Sequence, residues 1–121
     1  MITVKISAFS QDDQVETRAL ILAGLEEHWG AIDPTKNPDL EDISTNYAGE
    51  IFLLARLDGK IVGSGAVVRE DEHTGRVLRM SVPREKRRLG IAKRIFTELH
   101  AAAHGRGYTR LVLETTTGWR I

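Results

Sequence analysis

The stretch PREKRRLGIAKR, Pro83 to Arg94, decides how this sequence reads. Six of its twelve residues are Arg or Lys: Arg84, Lys86, Arg87, Arg88, Lys93 and Arg94. The whole 121-residue chain, by contrast, balances 17 basic against 17 acidic residues. Upstream, Arg76–Val82 (RVLRMSV) reads as a strand that Pro83 ends. Downstream, Ile91, Ala92, Ile95, Phe96, Leu99, Ala102 and Ala103 share one helical face. Gly90 stands between strand and helix, with the positive charge gathered around it.

Two physical arguments bear on that charge. A helix start presents unpaired N–H groups and a partial positive charge, which suit a phosphate. Gly90 lets the backbone approach an anion closely, and Ala92 is small enough to leave room for one. Basic side chains at a helix N-terminus also oppose the macrodipole, by roughly 0.3–1 kcal/mol each. Helix stability therefore gives them no reason to gather there, whereas the diphosphate of a nucleotide cofactor does. The alternative is a solvated basic helix end without a ligand.

Outward from this turn the chain alternates between periods. Thr3–Phe9 reads as a strand, and Ser10 or Asp12 can cap the helix that follows. Val15, Ala19, Leu22, Leu25 and Trp29 recur at three- and four-residue steps, so Asp12–Trp29 is an amphipathic helix ended by Gly30. Ile32–Pro38 is a loop, and Asp39–Tyr47 a short acidic helix. Glu50–Leu57, Lys60–Arg69 and Arg76–Val82 form an antiparallel meander, its first turn marked by Asp58-Gly59. Gly63 and Gly65 mark a bulge or a close backbone approach. Gly105 and Gly107 end the last helix, and Leu111–Thr115 is a further strand.

Composition removes whole classes of function. The length predicts one domain over residues 1–121, with a core of its own. There is no cysteine, so disulfides, thiolate catalysis and cysteine-ligated metals are excluded, and no metal is expected. No window approaches a membrane span, and the start lacks the features of a signal peptide, which predicts a cytoplasmic protein. The neutral balance argues against nucleic-acid binding over the whole surface, so any anion site is local.

Arg87-Arg88-Leu89-Gly90-Ile91-Ala92 resembles the Arg/Gln-x-x-Gly-x-Gly/Ala signature of the GNAT superfamily of acyl-CoA N-acyltransferases. Six residues alone are a weak signal. The context strengthens it: a strand ending Met80-Ser81-Val82, the turn, an amphipathic helix, Gly107-Tyr108 and the strand LVLETT. The resemblance covers essentially the whole chain. It implies an α/β fold (α+β in detail), with a mixed, mostly antiparallel central sheet flanked by helices.

The resemblance further implies transfer of an acetyl group from acetyl-CoA to an amine, on a small molecule or a peptide. Backbone N–H groups of Arg87, Arg88, Gly90, Ala92 and Lys93 match those that wrap the coenzyme A pyrophosphate, with Arg84, Arg87 and Arg88 adding charge. Val82 matches a pantetheine contact, and the N–H of Met80 the group that polarises the thioester carbonyl. Some relatives carry a glutamate four residues before the Met80 position, where this chain has Arg76. Glu114 is the first candidate base; Glu70, Glu72 and His73 stand behind it, and each also reads as a surface or structural residue. His28, Trp29, Asp33, Asn37 and Asp39 match acceptor-pocket positions, with core, capping and surface roles as the alternatives.

The family domain usually continues after LVLETT with a helix and two more strands. Here the chain stops at Ile121, so the resemblance implies a fold lacking them. That helix often carries a tyrosine that protonates the departing thiolate, and neither Tyr47 nor Tyr108 matches it. The expectation is weak catalysis by an isolated monomer. A truncated product, completion by a partner or a second copy (a homodimer), and a non-catalytic coenzyme A-binding module all fit. A nucleic-acid-binding domain built on Pro83–Arg94 is the remaining alternative, and it predicts steep salt dependence.

Overall fold

The computed structural model describes residues 4–30 and 36–113, the side chains of His28 and Trp29 excepted. β1 (Val4–Ala8) leads through a 3-10 turn (Gln11–Asp13) into α1 (Gln14–Trp29). A second 3-10 turn (Pro38–Glu41) and the single-turn α2 (Ile43–Asn46) come next. Three strands follow: β2 (Ile51–Leu57), β3 (Lys60–Arg69) and β4 (Thr74–Ser81). A 3-10 turn (Arg84–Lys86) then joins β4 to α3 (Ile91–Gly105), which precedes β5 (Arg110–Leu113).

The strands make one sheet in the order β1-β2-β3-β4-β5. The first three pairings are antiparallel, and β5 runs parallel to β4 from Thr74–Arg110 to Val77–Leu113. This is the mixed, mostly antiparallel sheet that the resemblance implies. The Asp58-Gly59 hairpin closes as expected, both residues in the left-handed region at φ 53 and 80, a turn whose twist matches that of its strands.

Strand alternation sends side chains to two cores. On one face Ala55, Val62, Val67 and Val77 meet Ile91, Ile95, Leu99 and Ala103 of α3. On the other, Leu54, Ile61 and Ala66 meet Ile21 of α1 with Leu40, Ile43 and Tyr47. Ile95 and Leu99 are fully buried, each contributing roughly 1.5–3 kcal/mol. The two glycines of β3 make this contact feasible. A Cβ at Gly63 would lie 2.7 Å from Ile95 Cδ1, and one at Gly65 would lie 2.8 Å from Ile95 Cγ2 and 2.5 Å from Met80 Sδ. Close approach holds for both glycines, and the bulge reading holds as well, since the β2–β3 register shifts beside Gly63 and the β3–β4 register shifts at Gly65.

Two expectations are corrected. Val15 and Ala19 do not face the core: Val15 is 82% exposed, and Thr17 and Ile21 are the buried residues of α1. Apolar residues surround this helix (Val15, Ala19, Leu20, Ile21, Leu22, Ala23, Leu25), so spacing supports more than one face. The sheet meets the helix on the side of Thr17, Ile21 and Gly24, the last lying close against Ser81.

The second correction is that Asp39–Tyr47 is not a continuous helix but a 3-10 turn followed by one α turn. Gln14 of α1 supplies the reason. Its amide nitrogen donates to the Leu40 carbonyl at 2.7 Å, and its amide oxygen accepts from Ile43 N–H at 2.9 Å. Backbone groups that a helix would pair internally are paired with a side chain instead. Asp42 then starts the short turn by accepting from Thr45 N–H at 3.2 Å. At the other predicted helix start neither candidate caps α1, whose N-cap is Asp13; Ser10 is the N-cap of the 3-10 turn before it, and its N–H donates to Asp13 Oδ2 at 3.0 Å.

Candidate functional site

The basic turn has the geometry that an anion requires. After the 3-10 turn, Arg87 is extended, Arg88 turns left-handed at φ 71 and Gly90 does so at φ 76. Left-handed residues alternating with ordinary ones point successive N–H groups into a concavity. Gly90 is also the N-cap of α3, whose first internal bond runs from Arg94 N–H to the Gly90 carbonyl at 3.0 Å. The N–H groups of Ile91, Ala92 and Lys93 thus precede the helical ladder. A Cβ placed at Gly90 meets no atom within 4 Å, so the space before the helix is open.

The six basic side chains divide by role. Arg94 turns away and donates to the Val4 carbonyl of β1 at 2.5 Å. Arg84 and Arg87 converge on Glu27 of α1, with Oε1 at 3.4 Å from Arg84 Nε and 2.7 Å from Arg87 Nη1. Arg87 Nε also donates to the Val82 carbonyl at 3.3 Å. Arg88 and Lys93 are exposed at the rim, and Lys86 is half-buried. Glu27 was not foreseen; its partners lie 57 and 60 positions further along the chain, so no local pattern points to it.

Beside this turn β4 is irregular. Ser64 pairs with Ser81 and Ala66 with Leu78, so Arg79 and Met80 form a bulge opposite Gly65. Arg79 sits at φ 57, which costs a non-glycine residue roughly 1–3 kcal/mol. Fully buried Ser64 donates from Oγ to the Arg79 carbonyl at 2.7 Å. The bulge sends both Leu78 and Arg79 toward α1 and α2, and Met80 toward α3. Met80 and Val82 are half-buried and pack at the α3 core, as expected of their side chains.

The Arg79 side chain, 17% exposed, ties the bulge to the segment before β2. Nη2 lies 2.6 Å from Asp39 Oδ1, Nε donates to Asp39 Oδ2 at 3.0 Å, and Nη2 donates to Asn37 Oδ1 at 3.2 Å. Tyr47 Oη donates to Asp39 Oδ2 at 2.5 Å. Burial pushes the Asp39 carboxyl up, but the bonds from Arg79 and Tyr47 outweigh it and hold the group below the ordinary aspartate range. Burial, reinforced by Asp39, pushes the Tyr47 phenol up to about 12. Asn37 and Asp39, expected near an acceptor, are therefore committed to Arg79. Sequence carried one sign of this arrangement: adjacent Val77-Leu78 before Arg79-Met80 breaks the period-2 alternation of a half-buried strand.

The expected bases are not gathered here. Glu70 is bound by Arg76 at 2.9 Å, and exposed Glu72 and His73 lie in the β3–β4 turn, at the far end of β4 from Ser81. Glu114, Asp33 and the side chains of His28 and Trp29 lie outside the described residues, as do the C-terminal positions of the predicted last strand. Among the described residues no group of His, Asp or Glu is placed to hold a metal. Nor is any described helix long and apolar enough to cross a membrane.

A bulged fourth strand, an anion-ready turn, a crossover helix and a parallel fifth strand together define an acyl-CoA-type transferase fold. The chain belongs to the acetyltransferase (GNAT) family, whose sequence profile matches residues 17–119. It is 32% identical over 97 residues to an IAA acetyltransferase of Azospirillum brasilense, covering 78% of this chain and 63% of that protein. It is 36% identical over 101 residues to N-acetylaspartate synthetase of Rattus norvegicus, covering 83% of this chain and 32% of that protein. The chain thus spans only part of the length of both relatives.

Solved structures agree on the fold. A GNAT-family acetyltransferase from Staphylococcus aureus Mu50 superposes with TM-score 0.86 at 26% identity, covering 93% of this chain and 74% of that one. A GNAT-family acetyltransferase from Brucella melitensis, solved in complex with acetyl-CoA, gives TM-score 0.80 at 19% identity, covering 97% of this chain and 79% of that one.

Proposed function

We propose that this chain transfers an acetyl group from acetyl-CoA to a primary amine of a small molecule or peptide. The observation that carries the reading is the pair of left-handed residues, Arg88 and Gly90, opening onto the N-terminus of α3 with no obstruction at Gly90. Backbone N–H groups of Arg87, Arg88, Gly90, Ala92 and Lys93 would hold the pyrophosphate, and the exposed side chain of Arg88 would add charge at the rim. Val82 would hold the pantetheine arm through its backbone. The N–H of Met80, which lies in the bulge, would polarise the thioester carbonyl.

In the reaction a neutral amine attacks the thioester carbon. A C–N bond forms, the C–S bond breaks, the amine gives up a proton and the sulfur leaves as a thiolate that takes one up. The chain's part is orientation and polarisation at the carbonyl oxygen. Glu114 is the residue proposed to accept the amine proton.

Isothermal titration of the 121-residue chain with acetyl-CoA and with coenzyme A tests the site, alongside Gly90→Glu, which puts a carboxylate into the cradle. Binding that the variant loses supports the site, and an amine panel scored by thiol release then tests transfer. A folded chain that binds neither compound overturns the reading. Binding without amine-dependent thiol release reduces it to a coenzyme A-binding module.

A further inference from the structure

The bulge in β4 is held by a side-chain anchor that the proposed chemistry does not use directly. Arg79 adopts φ 57, a conformation that an arginine does not favour, within a strand that pairs regularly from Arg69–Gly75 to Ala66–Leu78. A strand without a bulge would continue that register and turn Met80 to the other face, because side chains and amides alternate with period two. Something must resist that slip.

The network around Arg79 does so from both ends of the residue. Its carbonyl is gripped by buried Ser64 Oγ at 2.7 Å. Its guanidinium is gripped by both oxygens of Asp39, at 2.6 and 3.0 Å, and by Asn37 at 3.2 Å. Asp39 is fixed in turn by Tyr47 Oη at 2.5 Å. The Tyr47 ring stands edge-on to Phe52 of β2, with centroids 5.0 Å apart. The anchor therefore runs from the core of β2 through the segment before it to the bulge.

We propose that Arg79 is a positioning residue: through Asp39 and Asn37 it keeps the bulge left-handed and thereby aims the Met80 N–H at the thioester carbonyl. The proposal rests on the acetyl-transfer reading above. It also makes the segment at residues 37–47 and the strand that meets the thioester one mechanical unit.

The test reads the carbonyl itself. Acetyl-CoA carrying carbon-13 at the thioester carbonyl is bound to the wild-type chain and its carbonyl resonance recorded by NMR. A donated hydrogen bond polarises the carbonyl and moves the resonance downfield. Arg79→Ala and Asp39→Asn are expected to bind acetyl-CoA still, since the phosphate turn is untouched, but to lose at least half of that shift. Arg79→Gly is expected to keep more of it than Arg79→Ala, because glycine holds a positive φ without an anchor.

If Arg79→Ala fails to fold, the isosteric Asp39→Asn decides the matter. A full wild-type shift in the folded variants overturns the positioning role, as does wild-type binding with no shift. Both results leave the acetyl-CoA site standing. A wild-type chain that binds no acetyl-CoA overturns the functional reading instead, so the two failures are distinguishable.

Discussion

Gly90 offers a perturbation whose effects on stability and on binding run in opposite orders. The residue stands at φ 76 and ψ 14, and a Cβ there would touch nothing within 4 Å. The cost of a side chain in the free protein is therefore strain alone, without crowding. Holding an L-residue left-handed costs roughly 1–2 kcal/mol. For a chain of 121 residues, each kcal/mol lowers Tm by roughly 4 °C, so Gly90→Ala is expected to lower it by roughly 4–8 °C.

Asparagine enters the left-handed region more readily than alanine, so Gly90→Asn is expected to lose less than half as much. Binding reverses this order. The larger Asn side chain fills more of the space before α3 and displaces a phosphate oxygen from at least one N–H. One charge-assisted hydrogen bond is worth roughly 1.5–3 kcal/mol, or about tenfold or more in affinity. Thermal unfolding should rank the proteins Gly, Asn, Ala, and calorimetric affinity for coenzyme A should rank them Gly, Ala, Asn. The same order in both assays would falsify the cradle, because binding would then merely follow folding.

Three further outcomes are expected. Leu99→Ala, at a fully buried position on α3, should destabilise the chain by roughly 2–5 kcal/mol in urea, and a loss below roughly 1 kcal/mol would mean that α3 is not seated on Gly65. Tyr47 favours its neutral form when folded, so its contribution is intact below pH 10 and fades as pH rises to about 12, by roughly 1.4 kcal/mol per unit; the alkaline slope should shrink in Tyr47→Phe, and an identical slope would contradict the burial of the phenol beside Asp39. Glu27→Gln should free Arg84 and Arg87 and tighten coenzyme A binding by up to about fivefold at low salt, the range of a surface ion pair; weaker binding would show that Glu27 arranges the arginines for the phosphate instead.

Legibility differed by element for physical reasons. The three-strand meander and α3 could be read because each obeys a single period and is bounded by Gly or Pro, so local sequence and burial agree. The Arg88–Gly90 turn was readable because charge against a helix dipole is anomalous wherever the helix sits. The core face of α1 was not readable, since its apolar residues encircle it and the contact is made by Thr17, Ile21 and Gly24 against the sheet. The second helix was overestimated because Gln14, 26 positions before Leu40, takes the carbonyl that a helix would have used.

By itself the sequence determined the three-strand meander, the helix after Gly90 and the basic turn before it, all of which depend on neighbours within a few residues. Tertiary structure alone decided that Arg79 answers to Asp39 and Asn37 and that Glu27 gathers Arg84 and Arg87. Those features join positions some 40 to 60 residues apart. Their partners are set by which faces meet when α1 and the segment before β2 close over the sheet, and no spacing along the chain encodes that.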